Sequence, residues 1–244
     1  MTNPAKRYFP LTRIQRLIGE RMLMSKRTKP CFYISCRADV TELMALRREL
    51  GKSLGVKITS NTFFIRALAL AARKHPVVVG RFNGDSIVLA DAINVGFAVD
   101  SPQGLVVPVI RNADKRSLSE IASLDALLTD KARHNKLTLE DIEGETIAMS
   151  NLGAYGIDSF IGIAPPPTSA ILAAGNVVRT IVPNGGKSRK VSPAIPCGRW
   201  PSPLAVHKIV NLSLAVDKRV MNELYAAQFL SCIAGKLQDP QQLI

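Results

Sequence analysis

Residues 210–244 read VNLSLAVDKRVMNELYAAQFLSCIAGKLQDPQQLI and contain clear signals for consecutive secondary-structure elements. The apolar and alternating residues at 208–216 predict a strand. Residues 222–237 predict a helix that ends before Pro240, because proline cannot continue a helix. The chain is therefore expected to end in a strand, a short polar turn and a helix.

Four more helices are predicted upstream, at about residues 13–27, 41–50, 61–74 and 117–133. Thr12, Thr41 and Ser117 have side chains that can cap the first, second and fourth of them, and Ser117 has a glutamate three residues later, the spacing of a capping box. The second helix closes at Gly51 or Gly55. The third is nearly apolar along FFIRALALAA, so we expect it to be buried.

Short strands are predicted at residues 31–40, 82–89, 93–99, 105–110, 146–152 and 169–182, with turns at Asn83-Gly84 and at residues 102–104. Helices and strands do not alternate as in a regular βαβ fold. The order favours an α+β fold on a largely mixed sheet. Residues 183–203 are rich in proline, glycine and basic residues. We interpret them as an inserted, exposed loop between two strands.

Composition narrows the functional classes. The chain has 32 Lys+Arg against 19 Asp+Glu, a formal charge of +13, which can attract nucleic acid, acidic membranes or small anions. Only 5% of residues are aromatic and they form no repeated pattern with basic residues, so nucleic-acid binding is disfavoured. The four cysteines lack metal-ligand spacing, which predicts no metal site and reduced thiols. No segment offers the ~20 uninterrupted apolar residues of a membrane span, and the predicted location is the cytoplasm, or an organelle matrix in a eukaryote.

Four segments together carry a resemblance to a known family: GLVVPVIRNADKRSLSEIA at 104–122, SNLGAYGIDSF at 150–160, PPPTSAILAAG at 165–175 and the C-terminal stretch. They resemble the catalytic core of the acyltransferase component of 2-oxoacid dehydrogenase complexes. The resemblance implies a chloramphenicol-acetyltransferase-like, two-layer α+β domain with a mixed sheet packed by helices. On this basis we expect an N-terminal arm at residues 1–10 and a core at 11–244, without the lipoyl and subunit-binding domains that family members usually carry.

The family resemblance implies a site and a reaction. Members move an acyl group from a dihydrolipoyl arm to coenzyme A, which is not covalently bound, at a site between two subunits of a trimer. A histidine general base, an acidic residue four positions later and an oxyanion-binding serine are implied at Lys218, Asn222 and Ser150. Glu223 replaces a family glycine. A bulky acid at this position is expected to distort the turn, because the turn can require a backbone conformation that glycine adopts easily. Cys31 replaces a histidine of the first strand.

The substitution of lysine for histidine is the main departure. An ordinary lysine is protonated at neutral pH and cannot take up a thiol proton. Asp217 would hold Lys218 charged, whereas Arg219, if it pointed inward, would favour the neutral form. The loss of a positioned base costs about 10²–10⁴ in rate. Ser150 is either a retained oxyanion donor or a structural serine at a strand end.

We interpret the three histidines and Cys31 as structural rather than catalytic residues. His75 and His134 lie at predicted helix ends, and His207 lies at the far end of the last strand from Lys218. Cys31 is interpreted as a buried strand cysteine rather than a nucleophile. The sequence therefore predicts an inactive or strongly impaired subunit with a structural role in assembly. The alternative is an active acyltransferase with Lys218 at the base position.

The resemblance also implies partners. We expect a homotrimer, which can build a larger cubic or dodecahedral assembly or co-assemble with an active paralogue. The strand at 212–216 and the last helix are expected near the subunit interface. Leu243 and Ile244 are expected to form an apolar knob that packs on a neighbouring trimer.

Overall fold

The computed structural model describes residues 9–102, 104–183 and 204–244. Most of the predicted N-terminal arm and nearly all of the predicted loop at 183–203 lie outside the described residues. The helices are α1 Arg13–Thr28, α2 Thr41–Ser53, α3 Ser60–Lys74, α4 Leu118–Arg133, α5 Leu139–Ile142 and α6 Glu223–Gln238. The strands are β1 Cys31–Asp39, β2 Arg81–Asn83, β3 Ser86–Val88, β4 Val95–Phe97, β5 Val99–Ser101, β6 Gly104–Val106, β7 Val109–Ile110, β8 Ile147–Asn151, β9 Ala170–Pro183 and β10 Leu204–Asp217.

Six strands form one mixed sheet in the order β1-β10-β9-β8-β4-β7. The β8 strand pairs in parallel with both β9 and β4, and the other neighbours pair antiparallel. Two small hairpins, β2–β3 and β5–β6, lie outside this sheet. The predicted α+β fold with a mixed sheet is therefore confirmed.

Helix capping agrees with the sequence at two sites and differs at one. The side chains of Thr12 and Ser117 cap α1 and α4, each in a capping box. Thr41 is the first residue of α2 rather than its N-cap, because Val40 holds that position. The carboxylate of Asp39 accepts from the backbone N–H of Thr41 at 2.9 Å, so the end of β1 supplies the missing acceptor. At the other end, Gly55 has a φ of 65°, which suits glycine at a helix end.

The hydrophobic core lies between the sheet and helices α3, α4 and α6. Helix α3 is buried over most of its length, as its apolar sequence predicts. The largest fully buried side chains of the core include Phe63, Phe64, Phe97 and Phe229. Among the described residues, a small buried cluster formed by Ala148, Ala164, Ile171 and Ala215 lies on the opposite face of the sheet. No described helix is long and apolar enough to cross a membrane.

The C-terminal elements bury side chains in the chain's own core. Leu212, Leu214 and Val216 of β10 and the buried face of α6 pack there, and the expected position of these elements near a subunit interface stays a prediction. Leu243 is also fully buried, whereas Ile244 is 57% exposed. The predicted two-residue knob is therefore wrong for Leu243, because the 3₁₀ turn after α6 folds it back onto the core.

Candidate active site

The turn after β10 is organised around a buried carboxylate. Asp217 ends β10, and its backbone N–H donates to the carbonyl of Ser169 at 2.8 Å. Both of its carboxylate oxygens accept from the guanidinium of Arg219, at 3.0 and 2.6 Å. Arg219 also stacks over the ring of Phe82 at 4.4 Å. Asp217 and Arg219 therefore neutralise each other, and neither side chain forms a described hydrogen bond with Lys218.

Lys218 forms an ion pair with Glu223 rather than with Asp217, the carboxylate that the sequence analysis placed beside it. Its Nζ forms an ion pair with the carboxylate of Glu223 and lies 5.5 Å from the ring centroid of Phe32. Its backbone N–H donates to the carbonyl of Pro30 at 3.1 Å. The hydrogen bond from Lys218 lowers the pKa of the Glu223 carboxyl. The ammonium group of Lys218 therefore interacts with both a carboxylate and an aromatic face.

Asn222 and Glu223 both have roles at the start of α6. Asn222 is the N-cap, and its Oδ1 accepts from the backbone N–H of Tyr225 at 2.9 Å. Glu223 is the first residue of the helix, where its negative charge is favourable next to the helix N-terminus. The expectation that an acid at this position distorts the turn is therefore wrong. Residue 223 has a helical backbone conformation, which is open to residues other than glycine.

The end of β8, which carries Ser150, is stabilised by side-chain hydrogen bonds. Ser150 is half-buried near the end of β8, opposite Ala173 of β9. The next residue, Asn151, donates from Nδ2 to Oδ1 of Asn61 at 2.8 Å, and its own Oδ1 accepts from the N–H of Gly153 at 2.8 Å. Asn151 thus joins the first turn of α3 to the loop that follows Ser150.

Ser150 and Lys218 lie far apart within one chain. Ser150 is aligned with Ala173 on β9 and, through it, with Ser213 on β10. Lys218 lies five residues beyond Ser213, about 16 Å along the strand, and two strand spacings add about 10 Å across the sheet. A single subunit therefore does not bring the two predicted site residues together. A combined site would need a second chain.

The histidines have structural partners. His207 pairs with Asp39 on β1, and His134 ends α4, where its Nδ1 lies 2.9 Å from the carbonyl of Asp130. His75 ends α3 and meets the rings of two aromatic residues of α6 edge-on, at 5.4 and 5.9 Å.

Cys31 pairs with Asp217 across the sheet and is half-buried rather than fully buried. Burial, followed by the negative charge of Asp217, raises the pKa of its thiol. A raised pKa disfavours the thiolate, which is the nucleophilic form of cysteine.

A second feature escaped the sequence analysis. A cleft of about 870 Å³ lies between α2, the start of α3, α4, the end of β8 and the middle of β9. Its lining includes five basic side chains, which are Arg47, Arg48, Lys52, Lys57 and Arg133. Residues 59–61, at the N-terminal end of α3, and Asn151 also line it. The recurrence of basic residues at 47, 48 and 52 was a usable signal, but only the tertiary fold adds Arg133 to the group.

Comparison with known proteins places these features in a family. Residues 3–244 match the family described as 2-oxoacid dehydrogenases acyltransferase (catalytic domain). The acetyltransferase component of the pyruvate dehydrogenase complex of Rickettsia bellii is 33% identical over 248 residues, covering 99% of this chain and 55% of that protein. The mouse pyruvate dehydrogenase protein X component is 30% identical over 237 residues, covering 96% of this chain and 44% of that protein. The chain spans about half the length of the curated relatives it matches.

Solved structures agree. The dihydrolipoamide acetyltransferase of Azotobacter vinelandii was studied for the catalytic role of a serine, a histidine and an asparagine four residues after that histidine. It superposes with a TM-score of 0.87 at 29% identity, covering 98% of this chain and 93% of that one. The cubic core of a pyruvate dehydrogenase multienzyme complex gives 0.86 at 29% identity, with the same coverages.

Chloramphenicol acetyltransferase gives a TM-score of 0.50 at 14% identity, covering 89% of this chain and 94% of that one, which confirms the predicted fold. The family match covers nearly the whole sequence, and the acetyltransferase structures cover nearly the whole chain. This chain belongs to the 2-oxoacid dehydrogenase acyltransferase family, in the part that forms the catalytic domain.

Proposed function

We propose that this chain is an assembly subunit of a 2-oxoacid dehydrogenase complex, with acyl transfer abolished or strongly reduced. The observation that carries the proposal is the ion pair between Lys218 and Glu223 at the position of the family's general base. The base must accept a proton from the thiol of the acceptor. An ordinary lysine is an ammonium at neutral pH and has no free lone pair for that proton, and the ammonium of Lys218 is paired with a carboxylate beside the ring of Phe32.

The asparagine at the supporting position carries less weight than the lysine. In the Azotobacter enzyme, an asparagine also stands four residues after the histidine, which is the spacing between Lys218 and Asn222. Asn222 by itself therefore does not mark an impaired site. The proposal rests on Lys218 and Glu223.

A second function, active acyl transfer with Lys218 at the base position, is favoured by two other observations. The strand end with Ser150 keeps a supported geometry through Asn151 and Asn61. The basic cleft lies beside that strand end. Basic side chains and a helix N-terminus are the groups that bind phosphates, so the cleft suits the phosphates of coenzyme A.

The rate of thiol release from acetyl-coenzyme A in the presence of dihydrolipoamide separates the two functions. We expect the purified chain to give a rate no higher than that of the same mixture containing a Ser150→Ala variant. In an intact site, loss of an oxyanion donor costs about 10²–10³ in rate, so an active enzyme would show a large difference. A rate that falls on Ser150→Ala would support the active alternative.

The assembly itself is proposed to be at least a homotrimer. The separation of Ser150 from Lys218 within one chain supports a family-like arrangement in which two subunits complete each site. We further propose a larger cubic or dodecahedral particle, or co-assembly with an active paralogue, and a location in the cytoplasm or an organelle matrix.

The exposed Ile244 gives a test of assembly beyond the trimer. We expect Ile244→Asp to reduce the particle to a trimer in sedimentation or light scattering, because an apolar contact with a neighbour cannot hold a carboxylate. Leu139→Asp is the matched control, since Leu139 is also exposed, at 71%, and lies on α5. A particle of unchanged size with Ile244→Asp would remove Ile244 from the contact between trimers, and a monomeric wild type would contradict the trimer.

A further inference from the structure

A buried carboxylate stands in the wall of the basic cleft. Asp125 on α4 lines the cleft and is only 3% exposed. Its Oδ2 accepts hydrogen bonds from the hydroxyls of Thr59, at 2.7 Å, and Thr62, at 3.2 Å. These two threonines form the capping box of α3. In the described part of the chain, Asp125 forms no ion pair, and its hydrogen bonds come from neutral hydroxyl groups.

The other charges that line the cleft are all positive. Helix α2 contributes Arg47, Arg48 and Lys52, the segment before α3 contributes Lys57, and α4 itself contributes Arg133. None of the five forms an ion pair with another described residue. The end of β8 and the middle of β9 contribute uncharged groups, among them Asn151 and Asn176. An anion attracted by the basic side chains thus meets a single negative group.

We propose that the cleft takes up a proton, on Asp125, when it binds a phosphate-bearing ligand. The identity of that ligand as coenzyme A rests on the second function proposed above, acyl transfer by this chain. The coupling follows from Asp125 and the basic lining. A buried carboxylate and a bound phosphate repel each other, and the repulsion ends when the carboxylate is protonated.

The direction of the pH dependence follows from linkage. Burial raises the pKa of Asp125, and hydrogen bonds from Thr59 and Thr62 partly oppose this rise. A bound anion raises the pKa further, because a nearby negative charge disfavours a second one. By reciprocity, protonation of Asp125 tightens anion binding by the same factor. Affinity is therefore highest below the pKa of the empty cleft, falls as pH rises towards the pKa of the occupied cleft, and is constant above it.

Calorimetric titration with dephospho-coenzyme A tests the coupling. This probe carries its two phosphates as a diphosphate that is esterified at both ends and does not titrate near neutral pH, so the phosphates contribute no protons of their own. We expect the binding heat of the wild type to depend on the ionisation enthalpy of the buffer, as proton uptake requires. Asp125→Asn should remove that dependence and bind the probe about 10-fold more tightly at neutral pH, the effect of one nearby charge in a partly screened site.

Two controls separate this inference from the proposed function. Asp130→Asn removes an exposed acid from the same helix and should change neither affinity nor proton uptake. The Arg47→Ala, Arg48→Ala double variant should weaken binding strongly if the cleft is the coenzyme A site. Binding that needs the two arginines but shows no proton uptake would overturn the role of Asp125 and leave the site in place.

Binding that ignores the two arginines would remove the ligand site itself and the coupling with it. If Asp125→Asn fails to fold, the buffer dependence of the wild type alone decides, because uptake by the wild type is the proposed effect and its absence refutes it.

Discussion

Changing Lys218 to histidine and Glu223 to glycine should raise acyl transfer between dihydrolipoamide and coenzyme A by about 10²–10⁴-fold, the usual contribution of a positioned general base. Both changes are needed, because an imidazole at position 218 would meet the carboxylate that now holds the ammonium. The single change Lys218→His should therefore give a smaller gain. Adding Asn222→Asp should add little, since Asn222 caps α6 and aspartate caps a helix equally well.

To support the proposal, the gain in rate must depend on Ser150, the predicted oxyanion donor of the family's site. Ser150→Ala in the restored background should lose about 10²–10³ of the rate. Particle size must stay unchanged in every variant, because two chains are needed to bring Ser150 and residue 218 together. A wild type that already matches the restored variant would make Lys218 a working catalytic residue. Restored variants that assemble but stay inactive would show that substrate binding has also been lost.

Local sequence signals predicted most of the fold. The caps at Thr12 and Ser117, the apolar run of α3 and the Asn83-Gly84 turn each act over a few residues, so the sequence alone identifies them. The predicted cap at Thr41 was wrong because the acceptor at the start of α2 is the carboxylate of Asp39, which belongs to the preceding strand.

The site was harder to predict because its decisive contacts are not visible as motifs. The pairing of Lys218 with Glu223 depends on how the turn enters α6, and sequence proximity had favoured Asp217 instead. Asp125 is one acid within a helix, and only the fold places it beside basic residues of α2. Motif matching located the positions of the site, whereas the electrostatics of those positions came from tertiary contacts.

The support of the Ser150 strand end depends on two glycines that leave no space for a side chain. A Cβ on Gly153 would lie 2.6 Å from the carbonyl oxygen of Gly175, and a Cβ on Gly175 would lie 2.0 Å from the carbonyl oxygen of Asp158. The second contact occurs where β9 passes the loop after Ser150, at an irregularity in its pairing with β10. The backbone N–H of Asn176 donates to the carbonyl of Ile157 at 2.7 Å at the same place.

Gly175→Ala should therefore lower the free energy of unfolding by about 3 kcal/mol, the upper part of the range for an added group in a packed site, because only backbone can give way. Gly235→Ala is the matched control. Gly235 lies within α6 with no atom near its would-be Cβ, so alanine there should stabilise the chain by about 0.5–1 kcal/mol. Chemical denaturation of both variants checks the pair. A Gly175→Ala variant as stable as the wild type would mean that the loop after Ser150 can move aside, and a mobile loop cannot hold an oxyanion donor in a fixed position.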